Sequence, residues 1–431
     1  MTITPVSPHR IDEVPDASRV DLDALRWDDP DMWLDIDREA VFARMRADRP
    51  VLWCDEMEIP GFGQGPGYWS LSRHADIMEV SRNPARFISG QGTSVPDMPV
   101  EIAEFFGSMI NMDAPRHTRL RLIVNRAFTP RQVARIDDQV QQKAASIVRS
   151  VAPKGECDFV SEIAARLPLE IICDMMGIAP SQYQRVFELT NTILGAGDAE
   201  YTPDFLALMN AAVELSQMAQ EISRDRLQNP ADDLTTAMMM AEVEGADGTV
   251  QRLTAEELGS FFILLVAAGN ETTRNAISHG MYALTTHPDQ RRILADDFET
   301  VIPTAVEEIV RWATPVIHFR RTATEDTVLG GQSIKAGDKV VMWFNSANRD
   351  DAVFADPYRF DVRRTPNEQV GFGAGGPHFC LGANLARREM TVMLREVFRQ
   401  LPDLEITGEP DYLQSTFIHG IKRMPCQFTP A

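Results

Sequence analysis

Gly371-Phe372-Gly373-Ala374-Gly375-Gly376-Pro377-His378-Phe379-Cys380-Leu381-Gly382 is the stretch on which the reading of this chain turns. It places a cysteine behind a run of glycines and at the start of a helical pattern over about Leu381 to Leu401. A phosphate-cradling loop is one candidate, but no Gly-Lys-Ser/Thr follows it. A structural cysteine at a helix start is another, and glycine-rich packing alone does not exclude it. The functional reading is that the glycines let the backbone approach a flat macrocycle and aim amide N–H groups at a thiolate. Cys380 would lie near a helix N-terminus, whose dipole favours the anionic sulfur. A thiolate so held can ligate haem iron and donate electron density that favours O–O cleavage.

Working outward, the clearest helix starts at Thr254. Thr254 and Glu257 have capping-box spacing, and Gly248 lies just upstream in a turn. The pattern predicts a helix to about Thr286, before Pro288, spanning roughly 50 Å at 1.5 Å per residue. Its first half, Phe261 to Ala268, is apolar on every side, which predicts burial on every side. Amphipathic helices fill Pro115 to about Ala241, with Pro130 opening one and Met176-Gly177 closing another. Upstream, a helix is expected near Arg38 to Ala47 and a strand at Gly67 to Leu71, with Ser89 to Pro99 a long mobile loop.

Beyond Arg320 the pattern turns to short strands, Thr327 to Leu329 and Lys339 to Phe344, with a Gly330-Gly331 turn. Asn348 to Gly376 reads as irregular. With no internal repeat or linker, we expect one domain over 1–431, mostly α, with a long central helix and a small β-rich lobe. Residues 1–30 form a polar, proline-containing leader.

Forty-two basic against 63 acidic residues give a net charge of −21, which disfavours nucleic acid and anionic membrane surfaces as partners. Met1 to Val20 lacks a basic n-region and an apolar stretch, and Phe261 to Ala268 is too short to span a bilayer. A cytoplasmic protein without a membrane anchor is expected. Cys54, Cys157, Cys173, Cys380 and Cys426 are odd in number and scattered, so no disulfide framework or zinc site is expected.

Two further clusters carry chemistry. In Ala268-Gly269-Asn270-Glu271-Thr272-Thr273, glycine and adjacent hydroxyl residues are costly in a buried helix. The Thr272 hydroxyl can compete for the Ala268 carbonyl four residues back, bending or opening the helix. Glu308 and Arg311 in AVEEIVRW are three apart on one helix face. Flanking Ile309, Val310 and Trp312 mark them as a buried charge pair that needs further partners.

FGAGGPHFCLG resembles the haem-binding signature of the cytochrome P450 superfamily. Phe372 stands eight residues before Cys380 where the family usually has seven, so this loop carries one extra residue. The resemblance runs from about Asp35 to the C-terminus. In SEIAARLPLEIICDMMGI, FFILLVAAGNETTRNAISHG, AVEEIVRWATPV, LGANLARRE and FIHGIK it is similar to the actinobacterial P450s that hydroxylate methyl-branched lipids at the chain terminus. It implies the P450 fold, haem b (iron protoporphyrin IX) as cofactor, and Cys380 as axial ligand of the iron. Phe372, Gly373, Gly382 and Ala268 would then border the haem.

By the same resemblance Glu271 and Thr272 form the acid-alcohol pair that delivers protons to dioxygen. Arg359, in PYRF, is the third member of the Glu308–Arg311 cluster, which fixes the cysteine loop. His117 and Arg121, one turn apart, serve one side of the haem propionates, and Arg321 and His378 complete the set. Candidate pocket walls are Ala268 and Leu264, one and two turns before Thr272, with Val316, Ile317 and Phe417. All are apolar and suit an aliphatic or sterol-like ligand. The loops around Gly90 to Pro99 and Gly195 to Pro203 are expected to gate entry.

Gly61-Phe62-Gly63-Gln64-Gly65 precedes strand-like residues rather than a helix, so it fails the dinucleotide test, and no flavin or iron-sulfur signature is visible. Electrons are therefore expected from a ferredoxin with an NAD(P)H-dependent reductase, steered by Arg119, Arg126, Arg387 and Arg388. The expected reaction is hydroxylation of an aliphatic lipid. A steroid side-chain 26/27-hydroxylase and a non-catalytic haem- or lipid-binding sensor are the alternatives. The acid-alcohol pair argues against the sensor, since a binder needs no proton relay.

Overall fold

Thr254 caps the long helix as its spacing predicts. Its Oγ1 accepts from the Glu257 N–H at 3.1 Å, and the Glu257 carboxylate accepts from the Thr254 N–H at 3.0 Å. The computed structural model describes residues 16–25, 28–30, 37–59, 63–127, 130–244 and 249–431. Most of the leader, Asp35, Gly61, Phe62 and Gly248 of the sequence reading lie outside the described residues.

The helices used below are α1 (Arg38–Asp48), α2 (His74–Arg82), α3 (Arg116–Ala127), α4 (Pro130–Val151), α5 (Arg166–Met176), α6 (Tyr183–Leu194), α7 (Phe205–Gln228), α8 (Ala255–Thr286), α9 (Phe298–Ala313) and α10 (Ala383–Gln400). The strands are β1 (Val51–Cys54), β2 (Tyr68–Leu71), β3 (Phe87–Ile88), β4 (Glu156–Asp158), β5 (His318–Ala323), β6 (Thr327–Leu329), β7 (Gln332–Ile334), β8 (Lys339–Trp343), β9 (Glu405–Ile406) and β10 (Pro425–Gln427). Local signals account for many boundaries. Pro130 starts α4, and Gly177 ends α5 with φ +78°, the left-handed conformation that glycine adopts without strain.

The chain divides into two compact units. The first comprises Met1–Met98, His279–Leu381 and Tyr412–Gly420. It holds a five-stranded sheet in the order β1-β2-β8-β5-β3, antiparallel except for the parallel pair β8–β2. Every residue of β8 is buried, because both sheet faces are covered. Val340 and Met342 join one apolar cluster with Ile77, Val80 and Phe87, while Val341 and Trp343 join another with Phe42, Met45 and Tyr68. Ile317 belongs to this second cluster and is fully buried.

The second unit, Pro99–Ser278, Gly382–Asp411 and Ile421–Ala431, is chiefly helical, with α4 packed against α5 and α10. Its small sheet has the order β9-β10-β4. The helix α8 belongs to this unit up to Ser278. Among the described residues no helix is long and apolar enough to cross a membrane.

Candidate active site

In the first unit the cysteine loop is built by packing and hydrogen bonds rather than by regular structure. A Cβ on Gly376 would come within 2.2 Å of the Ser81 carbonyl, and one on Gly371 within 2.7 Å of Val310. These glycines therefore seat the loop against α2 and α9. The Gly373 N–H donates to Val370 O at 2.8 Å and the Cys380 N–H to Phe372 O at 2.9 Å, leaving Cys380 exposed. Gly382 differs from the packed glycines: a Cβ there would meet open space.

Behind the loop, Glu308 and Arg311 are fully buried and joined by two bonds of 2.7 Å. The expected third member, Arg359, is exposed and contributes only its carbonyl, 3.1 Å from Arg311 Nη2. Arg364 takes that place, its Nε 3.2 and 3.1 Å from the two Glu308 oxygens. Two neighbouring arginines in an irregular stretch look alike in sequence, and only the path of the chain selects one. Asn367 and the Asp361 N–H complete the carboxylate's partners, as a buried charge requires. Arg311 Nη1 then donates to Asn348 O at 2.8 Å, and Asn348 Oδ1 accepts from Val370 N–H at 2.8 Å. Through Val370 this chain of bonds reaches Gly373 and the cysteine loop.

Arg321 is buried on β5 and donates to the Arg320 carbonyl at 2.7 Å. Ile88 pairs with Thr322, and the next residue, Ser89, holds its hydroxyl 3.1 Å from His378 Nε2. Arg321 and His378 thus belong to one neighbourhood. Val316 is half-buried and bridges to Ile418. Phe417, also half-buried, presents its ring edge-on to Phe319 and His318.

In the second unit α8 is not buried on every side. Ala268 is exposed and Leu265 and Thr272 are half-buried, while Phe261 to Leu264, Val266 and Ala267 are buried. Positions 265, 268 and 272 are three and four apart and form one open stripe. Thr272 Oγ1 donates to Ala268 O at 2.8 Å, the competition its spacing predicts. Gly269 has a packing role, since a Cβ there would press on Ile172 of α5 at 3.3 Å.

Glu271, about 100° round the helix from Thr272, is buried and ion-paired with Arg274. Asn275 Nδ2 donates to it at 3.1 Å, and Arg274 also reaches Asn191 Oδ1 at 2.8 Å. The second Glu271 oxygen, Oε2, has no hydrogen-bond partner among the described residues. Sequence reasoning missed Arg274, although its three-residue offset from Glu271 is the same signal that exposed the Glu308–Arg311 pair.

His117 is buried on α3, and Arg121 follows it one turn later, half-buried. Of the basic residues expected to steer a donor, Arg119 is ion-paired with Glu257 and Arg388 with Asp137. Arg126 is exposed and meets the Glu242 carbonyl.

An exposed thiol on a loop anchored by a buried ion cluster, before a helix, is an arrangement that suits a haem-thiolate protein, and comparison with known proteins shows the family. Residues 201–402 match the sequence profile described as Cytochrome P450. The chain belongs to the cytochrome P450 family and is a monooxygenase of that family. It is 50% identical over 92% of both chains to the methyl-branched lipid omega-hydroxylase of Mycobacterium tuberculosis (strain ATCC 25618 / H37Rv). It is 39% identical, over 93% of both, to a steroid C26-monooxygenase of Mycolicibacterium smegmatis. Among solved structures it resembles Mycobacterium marinum cytochrome P450 CYP268A2 in complex with pseudoionone, at 42% identity and TM-score 0.87 over 95% of this chain and 99% of that one.

The family's haem fits the residues present in each unit taken by itself. In the first, Cys380 offers an exposed soft donor just before a helix in the sequence; in the second, the position of Gly382 leaves open space where a side chain would stand, and Ala268 is exposed on the open stripe of α8.

Proposed function

We propose that this chain hydroxylates the terminal carbon of methyl-branched fatty acids or isoprenoid lipids, with haem b as cofactor and electrons from a ferredoxin served by an NAD(P)H-dependent reductase. The observation that carries the substrate class is the 50% identity over 92% of both chains to an enzyme of that name. The steroid side chain is the second reading, supported by the lower identity of 39% to a steroid C26-monooxygenase.

In this reading Cys380 holds the iron. The glycine-bounded turn and the N-terminus of α10 favour its thiolate form. Phe372, Gly373, Gly382 and Ala268 border the macrocycle, and His117, Arg121, Arg321 and His378 meet its carboxylates. The bound haem supplies dioxygen activation, so that one oxygen atom enters a C–H bond and the other leaves as water. Glu308, Arg311 and Arg364 keep the loop in register. Leu264, Ala268, Val316 and Phe417 present apolar surface that orients an aliphatic chain and excludes water.

Thr272 holds a hydroxyl proton at Oγ1, shared with the Ala268 carbonyl, and releases it by rotating about χ1. Glu271 lies behind it, held by Arg274 and Asn275, and its Oε2, without a hydrogen-bond partner among the described residues, is the atom that would accept a hydrogen bond in the delivery path. Arg126 remains as a cation for an acidic donor.

The test is a titration of the ferric enzyme with a methyl-branched lipid, a straight-chain fatty acid and cholest-4-en-3-one, following the low- to high-spin change in haem absorption. A change with the branched lipid at the lowest concentration is expected. A change with the steroid alone would transfer the assignment to side-chain oxidation of sterols.

A further inference from the structure

Cys157 and Cys426 stand directly opposite each other on the antiparallel strands β4 and β10. Their sulfurs are 3.5 Å apart, and Cys426 Sγ lies 3.3 Å from the Cys157 carbonyl. The Phe428 N–H donates to Gly155 O at 2.8 Å and the Phe159 N–H to Met424 O at 2.8 Å. Each of these bonds is two residues from the cysteines, one on either side. Because hydrogen-bonded and non-hydrogen-bonded pairs alternate, the cysteines form a hydrogen-bonded pair, with Cα atoms about 5.5 Å apart. A disulfide spans about 4.4–6.8 Å between Cα atoms. Pro425 falls at the intervening position opposite Asp158, where its missing N–H costs no ladder bond. Cys426 is buried and Cys157 is half-buried, so one thiol of the pair is reachable and the other is sheltered.

We propose that Cys157 and Cys426 form a redox-modification site that closes to an intrachain disulfide by exchange with a low-molecular-weight disulfide. The Cys157 thiolate attacks one sulfur of the small disulfide, its S–S bond breaks, and one small thiolate leaves with the proton Cys157 gave up. Cys426 then loses its proton, attacks the Cys157 sulfur of the mixed disulfide and expels the second small thiol. Two cysteine thiols are oxidised by two electrons, and one small disulfide is reduced to two thiols. The hydrogen bond to Cys426 holds Cys157 above the usual thiol range, and burial adds to this. Less of the Cys157 thiol is therefore ionised at a given pH, so closure is slow near neutrality and faster as pH rises. The bond would join positions 269 residues apart, pinning the last strand to β4.

The test uses the haem-loaded enzyme in glutathione buffers from fully reduced to fully oxidised at pH 8. The expected result is a fall of two in the free-thiol count and a cross-linked Cys157–Cys426 peptide in a non-reducing map. A rise in thermal midpoint on the order of 5 °C should accompany it, and dithiothreitol should reverse all three. Cys157→Ser should abolish them. Cys426→Ser is the companion variant, and if its core position prevents folding, the half-buried Cys157 carries the test. Glutathione attached to Cys157 without cross-linking in the fully oxidised buffer, or an unchanged thiol count, would overturn the proposal.

Discussion

Glu389 sits on α10 with 2% of its surface exposed, and its Oε2 has no hydrogen-bond partner among the described residues. Burial alone pushes its carboxyl up to about 8. Between the ordinary value of 4.5 and about 8, the folded chain keeps a proton that the unfolded chain has lost. Folding therefore binds more protons across that window, and stability falls as pH rises through it. Glu389→Gln removes the titration while keeping the shape. We expect it to leave the thermal midpoint unchanged at pH 5 and to stabilise by on the order of 2 kcal/mol at pH 8. Thermal melts of both proteins at the two pH values check this, and equal midpoints at pH 8 would show that the carboxyl is relieved by a partner. In the sequence Glu389 reads as one more charge on a helix. Nothing in its spacing distinguishes it from exposed neighbours, because its burial depends on where α10 meets the rest of its unit.

The Ser89 to Pro99 stretch shows how an element can be legible in outline and misread in behaviour. Its glycines and prolines correctly announce a loop without regular structure, yet the expectation of a mobile gate overlooks what holds it. Arg320 donates to the carbonyls of Gln91, Ser94 and Val95, and Asp97 bridges Arg320 and the buried Lys339 at 2.7 Å each. Lys339 is also paired with Glu56. Because Asp97 neutralises part of two buried cations, Asp97→Asn should destabilise the enzyme by about 1–3 kcal/mol. It should also raise hydrogen exchange from Gln91 to Met98 while leaving α8 protected. Unchanged exchange over that segment would mean that the carbonyl contacts of Arg320 suffice to hold it. The long helix was easier to read, since the Thr254–Glu257 cap and the stop before Pro288 are local.

At the scale of the whole molecule, two buried histidines couple folding to pH. His279 donates to the His419 carbonyl and His318 to the Thr416 carbonyl. Burial lowers them to about 3 and about 4 respectively, from 6.5. Below pH 6.5 the unfolded chain takes up protons that the folded chain refuses, so stability is retained above that value and lost as pH falls from 6.5 toward 4. Each histidine contributes up to about 1.4 kcal/mol per pH unit in that range. Melts from pH 7.5 to 4.5 should show a steep decline, and His318→Gln should flatten it by one proton's worth. An unchanged slope in the variant would assign the acid sensitivity elsewhere. By itself the sequence determined the ends of the long helix, the start of α4 and the end of α5, the strands at 68–71, 327–329 and 339–343, and the Glu308–Arg311 pair, because capping boxes, turn residues, hydrophobic period and i,i+3 spacing act over a few residues. Tertiary structure decided that Arg364 rather than Arg359 completes that pair, and that Ile317 is buried while Ala268 is exposed. It also brought Cys157 opposite Cys426 from 269 positions away. Those choices depend on which distant segments meet, and side chains of the same type in similar local sequence carry no mark of that meeting.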